Sequence, residues 1–195
     1  MIQPARIAFL ILLTAFWLTE ATWAGEPLPA VSIPKTGDQA WDTLSEVKKD
    51  WMLKLYDIVV EDRPDLKPIA DESLEWRLKE MQYDTIKFQY MSKKRPDLII
   101  RDQGLGKFVN LDWFPEFSEE LSKKDPSFAQ LEETVQNLKK RISKDQDWKK
   151  LEDFINQLGK NEKHKDKVKK FTAELAKIQR ILIKHARELA QNNPQ

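Results

Sequence analysis

The sequence predicts an all-α protein, a bundle of five or six amphipathic helices, and three observations carry that prediction. Apolar residues recur at three- and four-residue intervals through most of the chain, and no run alternates at period two. Prolines fall at the edges of the periodic segments, where a helix tolerates them. Cysteine is absent, so apolar burial must hold the fold without a disulfide framework, and thiolate metal sites and haem attachment are excluded.

Taken in order, Arg6 precedes an apolar run from Ile7 to Leu13 that resumes through Leu18. A run of about 12 residues suits the central region of a secretory signal peptide and falls short of the roughly 20 that span a bilayer. Thr22-Trp23-Ala24 puts small residues where signal peptidase reads them, so residues 1–24 are expected to be removed, leaving 171 of the 195 residues. Residues 25–37, with three prolines and two glycines, read as an N-terminal arm, and residues 38–195 as a single helical domain.

Thr36 and Gln39 have capping-box spacing and predict a helix start. Trp41, Leu44, Val47, Trp51, Leu55 and Ile58 form one stripe on that helix, which Arg63-Pro64 ends. Pro64 or Pro68 then opens a second helix that runs to about Lys94 and stops at Arg95-Pro96. This helix is apolar on two sides, so it is either central in the bundle or keeps a face for a partner. Leu74, Leu78, Met81, Thr85 and Phe88 share one, while Ile69, Trp76, Tyr83 and Tyr90 lie nearly opposite.

Residues 97–115 are the least regular stretch and hold Gly104 and Gly106, so a loop is expected, with Asp112 capping a short helix that has Pro115 in its first turn. Asp125-Pro126 caps and opens the next helix, whose stripe is Phe128, Leu131, Val135, Leu138 and Ile142. Trp148, Leu151, Ile155 and Leu158 repeat the pattern as far as Gly159, which suits a left-handed C-terminal residue. Val168, Phe171, Leu175, Ile178, Leu182, His185 and Leu189 make a heptad seam consistent with a C-terminal antiparallel hairpin. Each helix offers several large apolar side chains, each worth roughly 1.5–3 kcal/mol when buried.

The formal net charge of +1 conceals an asymmetry. Residues 25–125 hold 16 Lys/Arg against 21 Asp/Glu, and residues 126–195 hold 16 against 10. The acidic segment 38–124 and the basic segment 125–195 read first as solvated helix faces that differ in charge, and beyond that as docking on each other or contact of the basic part with an anionic envelope surface. The six lysines between Lys160 and Lys170 sit where the last helix starts and oppose its macrodipole, so local helix stability does not account for them.

The export signal points to a periplasmic or secreted protein and away from nucleic acid, and no later segment is apolar enough to cross a membrane. His164, in a lysine-rich run, is expected at the surface, and His185, on the seam, in a core or interface. The two lack metal-ligand spacing, and neither metal nor cofactor is expected. The favoured function is an exported, non-catalytic binding or adaptor protein with an envelope protein or polymer as partner. Candidate binding residues are Trp76, Tyr83 and Tyr90, whose rings combine apolar area with a polar edge, and Arg101, Asp102, Gly104, Gly106 and Trp113 in the glycine loop.

A second reading is a cell-wall glycan hydrolase with Glu72 or Glu75 as general acid. The pair Glu72-Ser73 is similar to the Glu-Ser of lytic transglycosylases, a likeness of two residues. The Gly-rich stretch that follows in that family has its only counterpart here thirty residues on, at Gln103-Gly104-Leu105-Gly106. This reading expects the carboxylates and the Gly104 loop in one cleft. A third reading is an electrostatic binder that uses the basic C-terminal third.

Overall fold

The computed structural model describes residues 31–111 and 114–192, the last four without their side chains. The expected signal peptide, most of the arm, the Asp112 cap and Trp113 lie outside the described residues. Seven helices are described: α1 (Gln39–Asp62), α2 (Lys67–Lys94), α3 (Leu105–Phe108), α4 (Pro115–Lys124), α5 (Pro126–Ile142), α6 (Trp148–Gln157) and α7 (Lys165–Asn192). The described residues contain no strand, and the helix beyond the expected five or six is α3, a single turn inside the predicted loop.

The cap of α1 is Asp38, not Thr36. Asp38 Oδ1 accepts from the backbone N–H groups of Ala40 and Trp41, both at 3.0 Å. Thr36 instead accepts from the N–H of Asp38 and donates to Asp42, bracing the cap from outside. A carboxylate is the stronger acceptor for the exposed N–H groups of a first turn, so it takes the capping position.

The same tetrapeptide, Arg-Pro-Asp-Leu, ends both α1 and α2. The proline pushes Arg63 and Arg95 out of the helical region, to φ −139° and −143°, and starts a 3-10 turn at Pro64–Leu66 and Pro96–Leu98. Each guanidinium then holds the aspartate two residues on, Arg63 with Asp65 and Arg95 with Asp97. After Leu66 the chain turns at once into α2, whereas after Leu98 it continues extended at Ile99.

The α1/α2 hairpin is the centre of the packing. Near its open end Trp41 stacks on Phe88, with centroids 4.1 Å apart, meets Phe108 edge-on, and donates its indole N–H to Thr85. These rings join Leu44, Met91, Leu111, Phe117, Ile178 and Leu182 in one core cluster. At the hairpin's turn a second cluster gathers Val59, Leu66, Ile69, Trp76, Val135, Leu138, Ile142 and Leu151 from α1, the Pro64–Leu66 turn, α2, α5 and α6.

Two turns differ from the sequence reading. Gly159 sits in a 3-10 turn, Leu158–Lys160, without positive φ, so it is not the left-handed residue expected. The seam of α7 packs antiparallel along α1 rather than closing a hairpin with α6. The cause is a clasp at the head of α7. His164 is fully buried, its Nε2 lies 2.7 Å from Asp62, and Lys163 reaches both Glu61 and Asp62 at the end of α1. The surface position expected for His164 is therefore overturned: the residue lies between lysines in sequence but under α1 in space. Lys163–Glu61 and Arg141–Glu72 tie the basic segment to the acidic one.

Candidate binding grooves on either side of Trp51

The aromatic stripe on α2 is not a free face. Trp76 is buried, meets Trp148 edge-on at 6.1 Å and carries the Arg77 guanidinium 3.9 Å above its ring. Tyr83 stacks on Phe128 at 5.0 Å, shares a 2.7 Å hydrogen bond with Ser118 and donates to Glu132. Burial, reinforced by the Glu132 charge, pushes the Tyr83 phenol up to about 12, so it remains a donor. Tyr90 meets Phe117 edge-on, and its hydroxyl accepts from Lys124 at 3.1 Å. Of the two readings of this stripe, core and binding face, the structure places it against other helices: α4, α5 and α6 return across α2 and cover its second apolar side.

The glycine loop is a buttress. Arg101 pairs with Asp38, lies 5.2 Å from the Phe108 ring and so secures the cap of α1. Gly104 lies at φ +92°, where a Cβ would stand 3.6 Å from the Gln179 side chain of α7, and the next N–H, from Leu105, donates to that glutamine at 2.7 Å. Asp102 and Gly106 are exposed, and Gly106 has no positive φ. Trp113 lies outside the described residues. Neither Glu72 nor Glu75 meets this loop: Glu72 accepts from Arg141 at 2.8 Å, and Glu75 lies 3.9 Å from Lys79.

The open surface lies elsewhere, on the middle of α1. A groove of ≈ 230 Å³ between α1, α2 and α6 is lined by Trp51, Met52, Leu55, Tyr56, Leu74, Trp148 and Ile155, with Ser73 and Arg77 among its few polar members. Ser73 lines it, but Glu72 and Glu75 do not. A second groove, ≈ 340 Å³, lies between α1 and α7 and is lined by Val47, Asp50, Trp51, Lys54, Lys167, Lys170, Phe171 and Glu174. Trp51 belongs to both. Its ring stacks on Phe171 at 4.7 Å and 9°, which makes the shared wall a paired aromatic surface. Leu53, on the other side of α1 and in neither groove, is 38% exposed, the one large hydrophobic residue among those described to reach that exposure.

The two grooves differ in charge. In the first, Tyr56 donates to Asp71 at 2.7 Å and Lys67 pairs with the same carboxylate, while Arg77 pairs with Glu80. Burial and the neighbouring Asp71 raise the Tyr56 phenol above its ordinary value. In the second, Asp50 is paired with Lys54 and Glu174 with Lys177, whereas Lys167 and Lys170 make no ion pair among the described residues. The arrangement offers apolar contact with fixed positive charge beside it.

Sequence reasoning placed Val47, Trp51, Leu55, Trp148 and Phe171 in the core and so missed the grooves. The available signal was Met52 and Leu53, which widen the apolar arc of α1 beyond a single stripe. Among the described residues no cluster of His, Asp or Glu is placed to hold a metal ion, and no helix is long and apolar enough to cross a membrane. No known protein family, curated protein or solved structure matches this chain.

Proposed function

We propose that the chain is an exported, non-catalytic binding protein of the bacterial envelope that captures an apolar ligand in the groove between α1, α2 and α6. One observation carries the reading: Trp51, Leu55, Tyr56, Trp148 and Ile155 line an open, mostly apolar concavity between three helices. Ligand pockets are characteristically concave, mostly apolar and furnished with a few polar groups, here Ser73, Arg77 and the Tyr56–Asp71 pair. The groove is smaller than the roughly 300–1,000 Å³ of ordinary small-molecule pockets, which favours a slender chain over a bulky ring system. Export rests on the apolar run and the Thr22-Trp23-Ala24 site, and is checked by the N-terminal mass of protein recovered from the envelope fraction.

The binding test is a titration with the uncharged dye Nile red, followed by its fluorescence. Saturable binding that is lost in Leu55→Glu, with the helical circular dichroism unchanged, is the expected outcome. Equal dye binding by the wild type and Leu55→Glu would exclude this groove.

A further inference from the structure

The second groove identifies the class of ligand, on the footing that the first one binds an apolar chain. We infer that the protein binds a single-chain carboxylate of the fatty-acid class, with the hydrocarbon along Trp51 into the α1/α2/α6 groove and the carboxylate between Lys167 and Lys170.

Charge complementarity points to that occupant. The acids in the second groove are already neutralised, Asp50 by Lys54 and Glu174 by Lys177, while Lys167 feels Glu61 without forming an ion pair and Lys170 forms none among the described residues, so these two lysines supply the groove's least compensated charge. Residues three apart on a helix are neighbours, about 5–6 Å between Cβ atoms, so the two ammonium groups can converge on one carboxylate. Lys167 also lies in the first turn of α7, where the partial positive charge of the helix N-terminus adds to its own.

That placement is unfavourable for the empty protein, since cations near a helix N-terminus oppose the macrodipole, and it becomes favourable when an anion arrives. Phe171, one residue beyond Lys170, stacks on Trp51, so the cationic end and the apolar end meet across one aromatic wall. A chain with an anionic end matches that juxtaposition, and a wholly apolar ligand leaves the lysines unused.

The experiment compares dodecanoate with dodecanol by calorimetry on the purified full chain, wild type and a K167Q/K170Q variant. Both lysines are exposed and outside the core, and circular dichroism verifies that the variant is folded. The expected result is that the wild type binds dodecanoate about ten-fold more tightly than dodecanol, the value of one charge-assisted contact, and that this ratio falls toward one in the variant and at high salt. Equal binding of the two chains by the wild type would overturn the carboxylate site while leaving the apolar groove standing. Binding of neither chain would remove both readings. Capture by vesicles of anionic phospholipid with no response to dodecanoate would overturn the inference in favour of a membrane surface.

Discussion

One apolar stripe runs the length of α1, yet its ends and its middle have different fates. Trp41, Leu44 and Ile58 are at most 4% exposed, whereas Val47, Trp51 and Leu55, on the same side of the same helix, are only partly buried. The first end is covered by Phe88, α3 and the far part of α7, and the last end by the Pro64–Leu66 turn and the helices behind it. The middle has α7 on one side and α6 on the other, with a groove against each. Periodicity selects which side of a helix turns inward. Which stretch of that side is closed over depends on helices far away in sequence.

The comparison is broken most severely at the covered end. Phe88→Ala removes a ring with no exposure, stacked on Trp41, and should lower stability by about 3–5 kcal/mol in denaturant titration. Trp51→Ala removes a larger ring that water already reaches, and should lower it by roughly 1–2.5 kcal/mol, because only part of its area is buried. Equal losses would mean that the middle of α1 is as closed as its end.

The clasp that seats α7 on α1 comes next. His164→Ala deletes a fully buried ring and its bond to Asp62, and should lower stability by roughly 1–3 kcal/mol. Hydrogen exchange should then show faster opening at the start of α7 than in α5.

A smaller effect separates the two glycines. Gly104→Ala meets a positive φ and the Gln179 side chain 3.6 Å away, and should lower the Tm by an amount corresponding to about 1 kcal/mol. Gly106→Ala meets open space inside a helical turn and should be neutral or stabilising by up to about 1 kcal/mol.

The smallest effect is that of acid. Hydrogen bonds from Lys124 and Lys94 hold Glu120 down to about 2, and Lys163 with His164 depresses Asp62. A depressed folded pKa gives stability that is complete above the ordinary carboxylate range and lost as pH falls through the folded value. The melting temperature should therefore decline only modestly as pH falls from about 4.5 toward about 2, since the lysines that hold Glu120 face solvent.

What could be read from the sequence was local. Asp125-Pro126, Arg63-Pro64 and Arg95-Pro96 set their boundaries through steric and capping effects within a few residues, and each was legible. Asp38 was misjudged against Thr36 because both are cap formers two positions apart. The long-range outcomes were hidden for one shared reason. His164 looked solvated among lysines, Tyr83 looked like a contact surface and Trp51 looked like core, and each was decided by which helix returns to cover it. Trp76, Tyr83 and Tyr90, first favoured for binding, are taken up by packing, Arg101 and Gly104 by the buttress, and the candidate site lies along the apolar stripe of α1.

The most direct test of the grooves is the indole N–H region of an NMR spectrum of 15N-labelled protein, assigned by substitution, during titration with dodecanol. The Trp51 and Trp148 resonances should shift together and saturate, while Trp41, whose N–H is held by Thr85 inside the closed end, should stay in place. Movement of Trp41 with Trp51 silent would contradict the account.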